Sequence, residues 1–294
     1  MEYNGRMKRI GFIGAGKVGF SFGRHIKENA KEEYSVCGYF SRDPASARVA
    51  AEFAGGRAFE TAGDLARECD LLLLTVPDVH IHDVWEGIQN AMPNGQLHLA
   101  HCSGSLDSRV FNQSGSTRFS FGSIHPLVAV CDRENAYKKL NGAYFTIEGD
   151  PSFTAFAENL LTTLGNPFST ISPEKKSLYH AASVMVSNHV CAIAYEGMNT
   201  FKACGLDEGF SENAWRALFL GNAENIARLG PVQALTGPVE RGDTATVECH
   251  LNVLSGREKD LYILLSRTLI EIAQQKNASR DYSALISLLE DQSK

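Results

Sequence analysis

Arg9–Gly23 reads "RIGFIGAGKVGFSFG". Gly14, Gly16 and Gly19 stand at G-x-G-x-x-G spacing, directly after the apolar residues Ile10, Phe12 and Ile13. Val18, Phe20, Phe22, His25 and Ile26 then continue as a helix. In a chain with 26 glycines the triplet is weak by itself; the strand before it and the helix after it give it meaning. In that setting Gly14 makes the tight turn and Gly16 lets the backbone approach a pyrophosphate. Gly19 lets the helix pack on the strand, with the helix N-terminus facing the anion. Ala15, Lys17 and Val18 complete the expected anion-binding turn.

The surrounding segments alternate in the same way. Tyr34–Phe40 predicts a second strand, Pro44–Phe53 a helix and Arg57–Phe59 a short third strand. "CDLLLLTVPD" (Cys69–Asp78) is a continuous apolar run ended by proline, the pattern of a central parallel strand buried on both faces. His80–Ala91 predicts a helix, and Gln96–Ala100, Phe119–Ile124 and Ala143–Ile147 predict strands. Amphipathic Pro151–Leu164 precedes a last strand at Pro167–Ile171. This alternation indicates an α/β doubly wound parallel sheet of the Rossmann type. After Ser172 the periodicity is helical. Ser172-Pro173 suits a helix opening, a cap followed by proline at the first helical position. Breaks are expected at Gly205, Gly230-Pro231, Gly237-Pro238 and Gly256. The expected organisation is a nucleotide-binding domain over 1–172 and an all-helical domain over 173–294, joined near Ser172.

At 294 residues the chain is long enough for two domains. A net charge of −6 argues against a nucleic-acid partner held by general electrostatics. Seven dispersed cysteines, with no C-x-x-C pair, suit buried thiols in a reducing compartment better than disulfides or a metal site. The longest aliphatic run, Leu71–Val76, is far too short to span a bilayer. The polar start, "MEYNGRMKR", carries no apolar signal region, so the expectation is a cytoplasmic protein with no membrane partner.

In open α/β sheets, ligands lie beyond the carboxyl ends of the strands. The second strand ends "GYFSRD". A free ribose 2′-hydroxyl calls for an acid at such a tip. Here Ser41 and Arg42 offer a hydroxyl and a guanidinium suited to a phosphate, with Asp43 one residue beyond. Val76 and Pro77, at the end of the buried strand, are placed to brace a ribose or ring. "HCSGSL" puts Ser103 and Gly104 at the next strand end, placed to hydrogen-bond near the nicotinamide end of a bound dinucleotide, and "SIHPL" puts His125 at another.

In "EKKSLYHAASVMVSNHVCAIAYEG", Lys176, His180, Ser183 and Ser187 project within about 60° of one another on a helix turning ~100° per residue. The rest of the stretch is apolar, so this polar stripe faces either hydrogen-bonding partners or a cleft. In the first case His180 is satisfied by Ser183 or a carbonyl; in the second Lys176 and His180 line a site, with Ser187 and Asn188 beside it. "ALTGPVERGDTATVECHL" forms a polar turn in which Arg241 is either a carboxylate clamp or an exposed partner of Asp243.

Taken together, "GFIGAGKVG", "LTVPD", "HCSGSL", "HPL", "KSLYHAASVMVSN" and "LTGPVERGD" resemble an uncharacterised family of NADP-dependent oxidoreductases. In that family a Rossmann-like domain precedes a helical domain of unknown function. More distantly the layout resembles the 6-phosphogluconate and β-hydroxyacid dehydrogenases, ketopantoate reductase and pyrroline-5-carboxylate reductase. The resemblance implies a helical domain like the C-terminal domain of 6-phosphogluconate dehydrogenase, and a homodimer formed through it. In the first three relatives a lysine and an asparagine four residues later work at the start of the second domain. Lys176 matches the lysine, and His180 stands in place of the asparagine. Prephenate dehydrogenases carry His-Pro and a glycine three residues on; His125-Pro126 matches, with Ala129 in place of the glycine.

The reading that follows is an NADP(H)-dependent oxidoreductase for a small carboxylated keto, imino or hydroxy compound. Lys176, His180 or His125 handles the proton, while Ser103, Ser187, Asn188 and Arg241 bind the substrate. A prephenate-dehydrogenase-like enzyme and a catalytically silent NADP-binding sensor or assembly protein are the alternatives.

Overall fold

The computed structural model describes residues 6–92, 95–112, 118–129 and 135–291; Cys131 and the first five residues lie outside them. The glycine turn joins β1 (Lys8–Ile13) to α1 (Lys17–Asn29), as its spacing predicts. The chain continues through β2 (Tyr34–Phe40), α2 (Pro44–Ala54), β3 (Arg57–Ala58), α3 (Ala62–Arg67), β4 (Leu71–Leu74), α4 (Ile81–Ile88) and β5 (Leu97–His101). Then come β6 (Phe119–Pro126), α5 (Ala136–Leu140), β7 (Phe145–Gly149), α6 (Pro151–Leu164), β8 (Phe168–Thr170) and α7 (Lys176–Val186). These strands form one sheet in the order β3-β2-β1-β4-β5-β6-β7-β8.

All neighbouring strands are parallel except β6 and β7, which are antiparallel. Alternation alone does not show that reversal, because it does not fix the direction in which a neighbouring strand runs.

The sheet is buried on both faces, and β4 shows why its sequence is uniformly apolar. Leu71 and Leu73 join a cluster with Ile10, Phe12, Phe22 and Ile26, while Leu72 and Leu74 join Leu65, Ile81, Trp85 and Leu99 on the other side. Helix α1 lies unusually close to the strands. A β-carbon on Gly19 would strike the Thr75 hydroxyl, and one on Gly23 would strike the Tyr39 hydroxyl. The Tyr39 hydroxyl donates to the Gly19 carbonyl at 3.0 Å across that contact.

Compact packing divides the chain into Met1–Ser187 and Asn188–Lys294. The strands end at Thr170, close to the expected change at Ser172, but α7 belongs with the sheet unit. Pro173–Lys175 forms a single 3-10 turn before α7, and the Ser172 side chain does not cap it. The long helix expected from Lys176 onward is interrupted, because Ser187 leaves helical geometry at φ −123°, ψ −75°.

The second unit comprises α8 (Asn188–Ala203), α9 (Glu208–Ala234), α10 (Pro238–Arg241), α11 (Thr244–Val253), α12 (Gly256–Lys276) and α13 (Ser283–Asp291). Gly230, at φ +75°, kinks α9 ahead of Pro231. Val239, Val247, Leu251, Ile263, Ile270 and Leu285 supply its core, all from α10 onward. By contrast, α8 buries none of its residues, and α9 leaves Leu218 and Leu220 exposed. No helix of the described residues is long and apolar enough to cross a membrane.

His25 locks α1 to the far side of the sheet unit. Its Nε2 donates to Asn166 Oδ1 at 2.7 Å, and its Nδ1 accepts from Asn29 Nδ2 at 3.0 Å. Burial holds the ring below the ordinary histidine range, so the folded state prefers it neutral. Its stabilisation is full above the unfolded value of about 6.5 and is lost as pH falls through that value toward the folded one. His98, His101 and His125 are lowered in the same direction. Urea midpoints should therefore fall on acidification below about pH 6.5, and His25→Gln should remove up to one proton of that dependence.

Candidate functional site

Two groups of residues gather at the carboxyl ends of the central strands. The first surrounds the glycine turn. Thr75, just past β4, donates its hydroxyl to the Gly14 carbonyl at 2.7 Å, and a β-carbon on Gly14 would lie 2.8 Å from the Thr75 carbonyl oxygen. Internal packing thus explains Gly14 and Gly19. Gly16 is different: its β-carbon would meet only the Thr75 carbonyl oxygen, at 3.7 Å. What Gly16 leaves bare is the wall of a cavity of about 640 Å³. No side chain caps α1, and its first turn contains no acid. An uncapped helix start beside a bare glycine fits a pyrophosphate.

Ser41, Arg42, Val76 and Pro77 line the same cavity, together with Ala15. Asp43 turns away from any ribose, because its carboxylate caps α2 by accepting from the Ala45 and Ser46 amides and the Ser46 hydroxyl. Lys17 and Val18 open α1 and lie outside the cavity lining. His80 and Asp83, absent from the sequence expectations, line its α4 side.

The second group lies at the ends of β5 and β6. Residues paired across antiparallel strands show their side chains on the same face. The β6–β7 register sets Ser123 against Glu148 and His125 against Thr146. Helix α7 lays Lys176 against the first pair and Tyr179 against His125. Lys176 and Glu148 are each only 1% exposed and stand 3.4 Å apart. The Glu148 carboxylate accepts from the Ser108 amide and hydroxyl, each at 2.9 Å, and from the Ser123 hydroxyl at 2.7 Å. Lys176 Nζ donates to Ser123 Oγ. Burial draws the lysine below its usual range while Glu148 opposes that shift.

One turn along α7, Tyr179 Oη lies 2.9 Å from His125 Nδ1. Burial, and then the Lys176 charge, push the His125 imidazole down to about 4, so it is neutral at pH 7. A β-carbon on Gly104 would lie 2.5 Å from His180 Nδ1 and 2.8 Å from His125 Nε2. Only glycine lets both rings approach this strand end. His180 Nδ1 is buried without a hydrogen-bond partner among the described residues.

This arrangement corrects several expectations. Lys176 is sealed in an ion pair and does not form a cleft wall, because an unpaired buried ammonium would be too costly. Ser183 donates to its own helix, at the Tyr179 carbonyl, and does not satisfy His180. Ser187 falls outside the helix, which removes it from the stripe. The Ser103 hydroxyl donates to Asp78 at 2.6 Å and accepts from the Ser105 and Leu106 amides, leaving it no capacity for a ligand. Its role is to tie the loops after β4 and β5 together. In the second unit, Asn188 opens α8 and is exposed. Arg241 ends α10, more than half exposed and 3.8 Å from Asp243, whose carboxylate caps α11.

Residues 9–98 match the family described as NADP oxidoreductase, coenzyme F420-dependent. Residues 143–269 match the domain of unknown function DUF2520. The chain thus carries a match to an NADP-oxidoreductase domain followed by a match to a DUF2520 domain. NADP(H) is the cofactor of the matched domain family, and the glycine cradle fits it.

A Thermotoga maritima protein of known structure is 29% identical, with a TM-score of 0.72 over 91% of this chain and 99% of that one. A Bacteroides fragilis protein, itself described only provisionally as an NADP oxidoreductase, is 20% identical, with a TM-score of 0.70 over 90% and 98%. The NADP-bound pyrroline carboxylate reductase of Plasmodium falciparum is 14% identical, with a TM-score of 0.58 over 93% and 99%. The last two show a shared fold. No curated protein matches the sequence.

Removing one member of a buried pair leaves the other charge uncompensated, at a cost of about 3–5 kcal/mol. Lys176→Met should therefore lower the urea-derived stability by that order. The double variant Lys176→Met/Glu148→Gln should recover a substantial part, because a neutral amide replaces the stranded carboxylate.

Proposed function

We propose that this NADP-oxidoreductase chain transfers a hydride between NADP(H) and a small carboxylated keto, imino or hydroxy compound. The observation that carries the reading is the pair of imidazoles converging on Gly104, one with a buried unpartnered nitrogen, in the same unit as the cofactor cavity. The cofactor supplies the hydride chemistry. The chain's own residues orient the substrate and move the proton, a contribution of roughly 10²–10⁴-fold for general acid–base groups. His125 and His180 are the groups for this role; Lys176 acts on them as a fixed neighbouring charge. Likeness to a pyrroline carboxylate reductase supports a C=N or C=O bond beside a carboxylate as the reacting unit.

Arg42 is the proposed phosphate contact of the cofactor. It lines the cavity and forms no ion pair among the described residues, while Asp43 is committed to capping α2. A charge-assisted hydrogen bond contributes about 1.5–3 kcal/mol. Arg42→Ala should weaken NADPH binding roughly ten- to hundredfold and leave NADH nearly unchanged, as measured by nucleotide fluorescence. Equal losses for both cofactors would remove the assignment. NADPH oxidation, followed by absorbance with a panel of 2-oxo acids and cyclic imino acids, tests the reaction itself. NADPH binding without turnover of any panel member would leave a cofactor-binding sensor.

We also propose that the second unit forms a homodimer. Leu218, Phe219 and Leu220 of α9 and Leu264 of α12 are exposed, and a closed two-fold pairing of two copies is the commonest way to cover such side chains. Sedimentation at micromolar concentration should give a dimer; a monomer would reject that part.

A further inference from the structure

Tyr179 and His125 meet by a match between two repeats. Ser123 and His125 lie two residues apart on one face of β6, about 7 Å along the strand. Lys176 and Tyr179 lie three residues apart on α7, about one turn, or 5 Å, along the helix. Once Lys176 is pinned by Glu148 and Ser123, the tyrosine falls on the histidine, 2.9 Å from its Nδ1. The ring's other nitrogen, Nε2, faces Gly104 next to the unpartnered Nδ1 of His180. One nitrogen of His125 is therefore held by the hydroxyl of a partly buried tyrosine, and the other is turned toward the candidate reacting site.

We propose that Tyr179 and His125 form a proton relay for hydride transfer, in which His125 touches the substrate and Tyr179 acts through it. This inference rests on the oxidoreductase reading above. The phenol, a stronger acid than an imidazole N–H, donates to Nδ1, which leaves the proton of the neutral ring on Nε2.

In the reductive direction a hydride adds to the carbonyl or imine carbon, and the π pair moves onto oxygen or nitrogen. That atom takes the proton from Nε2, and the electrons of the broken N–H bond remain on the ring. The Tyr179 proton moves to Nδ1, so the ring stays neutral and a tyrosinate forms. After the alcohol or amine leaves, Nε2 takes a proton from water and Nδ1 returns its own to the tyrosinate. One hydride and one solvent proton are consumed.

The charges facing His125 favour a ring that never becomes an imidazolium. Lys176 and His180 from α7 disfavour a second proton on it, and Asp78 from the loop after β4 opposes them. Thr146, paired with His125 from β7, is neutral.

The test uses the full-length protein with ¹⁵N-labelled histidine, and His125 assigned by its loss in His125→Gln. Long-range ¹H–¹⁵N spectra at pH 7 should show His125 protonated at Nε2 and bare at Nδ1, and Tyr179→Phe should abolish that bias. With whichever panel compound the wild type turns over fastest, Tyr179→Phe should lower kcat about 10²-fold. KM and NADPH affinity should change less than about twofold, since only binding-neutral proton transfer is lost.

A wild-type ring protonated at Nδ1 overturns the relay, as does a Tyr179→Phe enzyme with wild-type kcat. If no panel compound is turned over, the oxidoreductase reading fails by itself, and the wild-type tautomer still decides for or against the relay. That spectrum also decides the matter if Tyr179→Phe does not fold.

Discussion

A lysine and a glutamate share the interior of the sheet unit, and the placement of the candidate site follows from that pair. Neither charge survives there alone: an ion removed from water needs both an opposite charge and hydrogen bonds for its remaining polar atoms. Glu148 has them, from Ser108 on one side and Ser123 on the other, with Lys176 closing the cluster. The pair is directional because it joins a helix to two antiparallel strands at one level of the sheet. It fixes both the height and the rotation of α7, and so decides which α7 side chains meet His125.

The order of elements was legible because each obeys a local rule. The glycine turn, the proline-ended leucine run and the helical second half all stand where periodicity put them. The β6–β7 reversal was not legible, because the alternation of strand and helix signals does not encode strand direction, and a connection of this length permits either one. The stripe on α7 was half legible. Lys176 and His180 do share a side, but helical projection cannot distinguish a cleft from a buried acid on another strand. Glu148 did leave a signal: it is a lone acid inside "YFTIEG", where every other strand residue suits burial. Tyr179 left less, since a tyrosine among apolar residues reads as packing. The continuous helix failed at Ser187, where no glycine or proline marks the break.

The two units distribute their apolar residues differently. In the sheet unit, leucines and phenylalanines alternate between two faces that are both covered. In the helical unit the core is gathered over α10 to α13, while α8 and α9 carry apolar side chains outward. The sequence runs "WRALFL" and "LYILL" look alike on the page. Yet the first is largely exposed, and the second is split between a buried Ile263 and an exposed Leu264.

The leucine tetrad of β4 has a consequence for biogenesis. Until β1 and β5 flank it, Leu71–Leu74 is an unbroken apolar β-segment with every backbone group unpaired, the composition that nucleates cross-β association between chains. The chain brackets it with Asp70 on one side and Pro77-Asp78 on the other. In the folded protein Asp70 accepts the Arg9 amide at 2.8 Å, and Asp78 accepts the Ser103 hydroxyl. Before folding, the same two carboxylates and the intervening proline act as gatekeepers, charging and interrupting the ends of a segment that would otherwise stack on its own copies.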